Sequence, residues 1–342
     1  MERVRFGKTE LMVSKFAFGG IPIMRISTSE AVEVIRGAIS LGVNFIDTAN
    51  GYADSEEKIG HAIKGMPRDS VVLATKSMAK DKKTFLEHLD LSLNRLGTDY
   101  IDIFQIHNVA TQEAYDAVFS PEGSYQGLVE AVKAGKVRFP AFTSHNIPMA
   151  IKIIGEKDFS SVQLPLNYVD DLALKEAIPL AKERDMGFMA MKPFGGGKLD
   201  DANLMVKYFM QFDSVIPTPG IEKLGEIEEI IKIAKSGDKI IKAELEAIEK
   251  IRSEVEGVWC HRCDYCLPCP QKINISVVLN AEGFMRRMTY ARAIGFLKQN
   301  MENAKSCTRC YVCAKRCPYN LDIPELIKAK LPIWDEFLAT EK

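Results

Sequence analysis

The 342-residue chain carries 45 Lys and Arg against 46 Asp and Glu, a formal net charge of −1, with 46% hydrophobic and 27% charged residues. This balance excludes a general polyanion binder, so no nucleic-acid partner is expected, and the composition is that of a folded globular protein. No apolar run approaches the roughly 18 to 20 residues of a membrane span, and no charged-then-apolar leader opens the chain; the expectation is a cytoplasmic protein with no membrane partner.

From the amino terminus, short apolar or β-branched runs alternate with amphipathic stretches. Strands are expected at 16–20, 43–48, 71–76, 101–106, 137–142, 161–164, 187–191 and 214–217, and helical patterns include Ser29–Leu41, Glu56–Lys64, Lys82–Leu96 and Leu174–Arg184. Eight βα repeats in this length predict an α/β fold, a (β/α)8 TIM barrel rather than an open sheet. Such a barrel works at the carboxyl ends of its strands. Those ends offer Asp47, Lys76, His107, Ser144-His145 and Gln163, with Tyr52 in the loop after Asp47. Any one of them alone is most simply a surface or structural residue. Together they form a coherent chemical set. A Tyr hydroxyl is a poor acid at neutral pH; an adjacent Lys ammonium stabilises its phenolate, an Asp holds the ammonium, and a neutral His directs a substrate oxygen to the same point. Phe142, Phe194 and Met24 read as core before pocket lining, and Gly195-Gly196-Gly197 as either turn glycines or a phosphate contact.

A charged helix is expected at about 242–256, closing a first domain at 1–256 and leaving 257–342 as a small α-helical domain. All eight cysteines fall in that second domain, none in the first 259 residues. They form two runs, Cys260, Cys263, Cys266, Cys269-Pro270 and Cys307, Cys310, Cys313, Cys317-Pro318. Near-minimal spacing with a closing Cys-Pro is the ligand pattern of [4Fe–4S] clusters. Zinc knuckles usually separate their two pairs by a longer loop, and a disulfide framework suits small secreted chains. From residue 260 onward there are 13 Lys and Arg against 8 Asp and Glu. Two clusters of net charge about −2 nearly cancel that surplus. His261 reads as solvated, and 276–304 as two helices.

The segments GVNFIDTANGYADSEEKIGHAIKG, VVLATKS and DYIDIFQIHN resemble the aldo/keto reductase family. The resemblance covers about Phe6 to Ile230 and puts Asp47, Tyr52, Lys76 and His107 on the family's catalytic positions. It implies hydride transfer from a nicotinamide to a carbonyl, with Tyr52 protonating the oxygen and a small carbonyl or alcohol as substrate. At the cofactor positions it implies Ser144, His145 and Gln163 for the carboxamide, where the family usually has Ser-Asn and Gln. Met191 stands where an aromatic stacking residue is common. The loop IPTPGIEKLGEIEEI, with Gly220 and Lys223, falls at the adenosine-phosphate position. Leu224 stands where an Arg often grips the 2′-phosphate, and Lys223 substitutes as a point charge. NADPH is therefore expected, with NADH as the alternative. CDYCLPCP is similar to the first motif of family members with a carboxy-terminal two-cluster extension. In two-cluster ferredoxins the fourth Cys of each run ligates the other cluster. That implies Cys260, Cys263, Cys266 and Cys317 for one cluster, and Cys307, Cys310, Cys313 and Cys269 for the other.

Three functions follow. The first is a nicotinamide-dependent carbonyl oxidoreductase whose clusters exchange electrons with a redox protein. The second is an ordinary carbonyl reductase with structural or oxidant-sensing clusters. The third is an electron carrier or binding protein without catalysis, against which the filled tetrad speaks.

Overall fold

In the computed structural model, which describes residues 1–340, the chain divides into two compact units, Met1–Ile241 and Lys242 onward. The expected boundary at 256 leaves the helix at 242–255 with the barrel, whereas it groups with the second unit. Of that helix only Ile248 is buried, so its sequence carries little apolar surface by which to assign a neighbour.

The first unit opens with a hairpin that the strand pattern does not include, β1 (Arg3–Arg5) against β2 (Met12–Ser14). Its turn carries Phe6, 1% exposed, into a cluster with Phe45, Val72, Ala74, Ile103, Ala141, Met189 and Ile216. The Phe6 and Phe45 rings meet edge to face at 5.3 Å. A Cβ on Gly187 would stand 2.5 Å from the Phe6 ring. Glycine is required there for the plug to seat.

Eight parallel strands follow: β3 (Phe18–Gly19), β4 (Phe45–Asp47), β5 (Val72–Ser77), β6 (Ile101–Ile106), β7 (Val137–Thr143), β8 (Ser161–Pro165), β9 (Gly187–Met191) and β10 (Val215–Thr218). They pair in chain order from β3 to β10. The sheet closes where Ala17 N donates to Pro217 O (3.0 Å), Gly19 N to Pro219 O (2.8 Å) and Ile221 N to Gly19 O (3.1 Å). A Cβ on Gly19 would lie 2.5 Å from Pro219 O, so closure needs glycine at the seam. The expected TIM barrel is thus the observed one, its first and last strands joined at this seam. Its helices are α1 (Thr28–Ser40), α2 (Ser55–Ile63), α3 (Lys82–Leu96), α4 (Gln112–Phe119), α5 (Ser124–Lys133), α6 (Ile147–Glu156), α7 (Ala177–Glu183), α8 (Ala202–Phe209) and α9 (Leu224–Ser236). Local chemistry sets several ends. Ser27 and Glu30 form a reciprocal capping box on α1, and Asp81 accepts from Thr84 N at 2.9 Å to start α3, which stops at Gly97 with φ 64°.

The second unit contains α10 (Lys242–Val255), α11 (Ile275–Leu279), α12 (Ala281–Arg287), α13 (Tyr290–Lys305), α14 (Val312–Arg316) and α15 (Ile323–Ala339). The stretch expected as two helices is three, because Asn280 and Met288–Thr289 interrupt it. Its core joins Ile275, Val278, Leu297, Met301, Ile327 and Trp334 to the buried Cys266 and Cys313. Among the described residues no helix is long and apolar enough to cross a membrane.

Candidate active site

Successive inward positions on a strand are two residues apart. Two residues beyond the apolar Phe45, Ala74 and Ile103, the strands β4, β5 and β6 therefore point Asp47, Lys76 and Gln105 into the barrel. Lys76 Nζ donates to both carboxylate oxygens of Asp47 and to Thr48 O, each at 2.7 Å. The amides of Gln105 and Gln163 donate to the same carboxylate at 3.1 and 3.3 Å. Lys76 is 2% exposed and Asp47 5%. Burial pulls the Lys76 ammonium below the usual lysine range, and Asp47 and then Glu56 act against that pull. Removing one member of so enclosed a pair costs about 3–5 kcal/mol. Outside the strand, Thr75 Oγ1 donates to the fully buried Glu56 at 2.7 Å, and Arg95 reaches the same carboxylate at 3.3 Å.

Tyr52 hangs over this layer from the loop between β4 and α2. That loop is pinned by Tyr52 N to Ala49 O and Ser55 N to Tyr52 O, both 2.9 Å. Ser55 donates to Gly20 O, and Lys58 to Ile23 O and Ile26 O, tying the start of α2 to the loop after β3. Lys76 Nζ lies 5.3 Å from the centre of the Tyr52 ring. The His107 ring stands 6.2 Å from Tyr52, nearly perpendicular at 81°. Burial first, then Lys76 and Lys192, push the imidazole far below its ordinary value, to about 3. Its ring stays neutral through the physiological range. The four residues singled out by chemistry thus meet at one place, around a single buried ammonium.

The expected cofactor residues are spread over the same end of the barrel. Ser144, fully buried, exchanges hydrogen bonds with the backbone of Asn146 at 3.0 Å. His145 is held by Asn108, whose Oδ1 meets its backbone N at 3.2 Å and its Nδ1 at 2.8 Å. Met191 ends β9, half-buried. Gly220 belongs to the barrel seam, bridged to Gly19. Lys223 is exposed ahead of α9, and its backbone N and that of Glu222 both donate to Glu226. Three buried polar atoms in this region have no protein partner: His107 Nδ1, Gln105 Oε1 and Thr218 Oγ1. Such atoms are costly unless a ligand or water meets them, so the residues present fit a polar ligand such as a nicotinamide. Gln105, Asn108 and Lys192 had not been singled out. Gln105 could have been, because it lies two residues before His107 on the same strand face.

In the second unit the two cysteine runs fold as repeats of each other. Non-glycine residues with positive φ fall at matched places: Arg262 (59°) and Asp264 (60°) against Arg309 (54°) and Tyr311 (60°), then Lys272 (56°) against Asn320 (52°). Each such residue costs roughly 1 kcal/mol or more, and persists where its surroundings over-determine it. None of the eight cysteines stands in a disulfide. Cys263 is pushed up to about 11, by burial and then by Cys260 and Cys317. Cys313 is raised by burial, then by Cys269 of the other run and Cys307 of its own. Cys317 therefore lies near Cys263, and Cys269 near Cys313. Among the described residues no three His, Cys, Asp or Glu converge tightly enough for a single metal ion. Thiols gathered by left-handed turns beside an apolar core fit the thiolate ligand set of an iron–sulfur cluster. His261, expected to be solvated, stacks on Tyr319 at 3.7 Å.

Comparison with known proteins agrees with both halves. Residues 259–322 match the 4Fe-4S dicluster domain. L-galactose dehydrogenase of Arabidopsis thaliana is 28% identical over 214 residues, 57% of this chain and 66% of that protein. A methylglyoxal reductase of Salmonella typhimurium is 31% identical over 157 residues, 43% of this chain and 56% of that protein. The chain thus spans about half to two thirds of the length of these curated relatives. An aldo-keto reductase of Bacillus halodurans, in its holo form, superposes with a TM-score of 0.63 at 21% identity, covering 73% of this chain and 96% of that one. One from Klebsiella pneumoniae in complex with NADPH gives 0.62 at 20% identity, with 73% and 95% covered. Residues 15–253, more than half of the chain, match the aldo/keto reductase family itself, and the chain belongs to that family.

Proposed function

We propose that the barrel interconverts a small carbonyl compound and its alcohol with NAD(P)H, Tyr52 supplying the proton to the carbonyl oxygen in the reducing direction. When bound, the nicotinamide supplies the hydride to the carbonyl carbon. Tyr52 delivers its hydroxyl proton to the oxygen, and the Lys76 ammonium stabilises the phenolate left behind. Asp47 keeps that ammonium charged in a buried place, and Gln105 and Gln163 fix the carboxylate. His107, neutral, orients the substrate oxygen through a ring nitrogen. The observation that carries the reading is the buried Lys76, clamped by both Asp47 oxygens beneath the Tyr52 ring. The relatives' names, a methylglyoxal reductase and a sugar dehydrogenase, favour small polar aldehydes, ketones or their alcohols as substrates. Ser144, His145, Gln163 and Met191 are assigned to the nicotinamide end. Exposed Lys223, between Glu222 and Glu226, supports NADPH over NADH by a modest margin only. The test is Tyr52→Phe: carbonyl reduction is lost while the visible absorption of the iron–sulfur unit is kept. Undiminished turnover would overturn the assignment.

We assign one [4Fe–4S] cluster to Cys260, Cys263, Cys266 and Cys317 and a second to Cys307, Cys310, Cys313 and Cys269. The mutual influence of Cys263 with Cys317, and of Cys313 with Cys269, supports this crossing. Held by these cysteines, the clusters would supply single-electron transfer to a carrier protein. A structural or oxidant-sensing role is the competing reading. Anaerobic titration of the loaded protein with NADPH separates them: bleaching of the cluster absorption supports exchange, and its absence with and without a carbonyl substrate favours the structural role.

A further inference from the structure

The second unit carries a cationic and aromatic face beside the first cysteine run. Arg262 lies between Cys260 and Cys263, and its guanidinium sits 5.2 Å from the centre of the Phe284 ring. Arg287 approaches the same ring at 5.4 Å. Phe284 packs on Phe296 at 4.8 Å, and Phe296 leaves 43% of its surface in solvent. Along α12 and the first part of α13, residues 281–298, the chain places Arg286, Arg287, Arg292 and Lys298 with Glu282 as the acidic residue of that stretch; Glu302, further along α13, pairs with Lys305 at 2.9 Å. The Glu282 carboxylate is already shared by Arg286 at 3.5 Å and Lys330 at 2.5 Å. Like-charged guanidinium groups gathered around an exposed aromatic have the composition of a protein-binding hot spot, and arginines so arranged pair well with carboxylates. Two clusters of net charge about −2 nearly cancel the surplus of residues 260–342. A protein docking at this face would meet its guanidinium groups first.

We propose that this face, centred on Phe296 with Arg286, Arg287 and Arg292, is the docking surface for a small acidic one-electron carrier protein. The proposal rests on the reading that the clusters exchange electrons. In the step itself one electron passes between a cluster and the docked carrier. No bond is made or broken, and the carrier is the co-reactant.

The test uses the full chain, loaded with clusters and reduced anaerobically with dithionite that is then removed. Its re-oxidation is followed with an acidic flavodoxin, with basic cytochrome c, and with hexaammineruthenium(III), each at low and high salt. The flavodoxin rate is expected to fall about tenfold or more as salt rises, the cytochrome c rate to change little or increase. Arg286→Glu combined with Arg292→Glu should lower the flavodoxin rate about tenfold and weaken its binding by calorimetry, leaving oxidation by hexaammineruthenium(III) within about twofold. Phe296→Ala should weaken binding without changing the salt dependence. Flavodoxin transfer that neither variant alters would overturn the docking surface while electron exchange stands. Flavodoxin binding that stays unchanged while the chain self-associates through this face would assign the face to a second copy and overturn the proposal. Clusters that reduce the small oxidant but neither protein would overturn the electron-exchange reading, and the docking surface with it.

Discussion

The barrel and the cysteine unit bury polar groups in opposite ways. In the barrel, Lys76 is already matched by Asp47, and Asp47 by two further amide donors. Its charges are paired by the protein alone. In the cysteine unit the buried Cys266 and Cys313 sit among apolar side chains, and burial first, then neighbouring cysteines, push Cys263 and Cys313 upward. Six residues with positive φ bend the chain around them. The first site is organised before any ligand arrives; the second is organised around something the polypeptide does not supply.

That contrast can be broken most forcefully by removing iron. Chelation under denaturing conditions followed by refolding without iron should leave α11–α15 largely unfolded and the barrel intact, because ligand binding there is folding free energy. Calorimetry and circular dichroism check it; a second unit that stays folded without metal would end the contrast. Tyr52→Phe should lower carbonyl reduction by roughly 10²- to 10⁴-fold, the usual worth of a positioned acid, with no change in cluster absorption. Asp47→Asn leaves the Lys76 ammonium enclosed without its carboxylate. The barrel's unfolding transition should drop by about 3–5 kcal/mol, measured by denaturant titration, with the second unit's transition unmoved.

A smaller effect comes from His107. Its value in the fold, about 3, lies below that of an unfolded histidine, 6.5. Between those values the unfolded chain binds the extra proton, so His107 lowers stability as pH falls from 6.5 towards 3 and has no such effect above. His107→Gln should flatten that part of the barrel's acid-stability profile; because the ring keeps some contact with solvent, the effect is modest. Least of all, Lys223→Ala should narrow any preference for NADPH over NADH a few-fold, since a lone exposed cation is worth about 0–1 kcal/mol. The ratio of kcat/KM for the two cofactors reads it out.

Much of the barrel was legible in the chain because a parallel strand buried on both faces is a short apolar run, and eight such runs recur between amphipathic stretches. Ile101–Ile106 and Gly187–Met191 match the expected strands residue for residue, while 16–20 shrinks to Phe18–Gly19, where the seam brings Pro219 against the backbone. The amino-terminal hairpin was not legible. Its strands are three residues each, and what holds it is Phe6 in a distant core. In the second unit, Asn280 interrupts the helical stretch with a side-chain bond to Ser276 O at 2.9 Å, and α10, with Ile248 as its one buried residue, offered little apolar pattern by which to assign it.

By itself the sequence determined which groups are candidates for the site. Strand alternation put Asp47, Lys76 and His107 at the working end of a barrel, and cysteine spacing marked the metal-binding segment, because both are local periodicities that any folded form must respect. Only the tertiary structure decided who meets whom. The amide donors of Gln105 and Gln163 reach Asp47 from separate strands, Cys317 comes beside Cys263 across the whole helical insert, and Arg262 and Arg287 converge on Phe284. Those meetings depend on closing long stretches of chain upon one another, and the loop-closure and packing free energies that select them are properties of the whole fold.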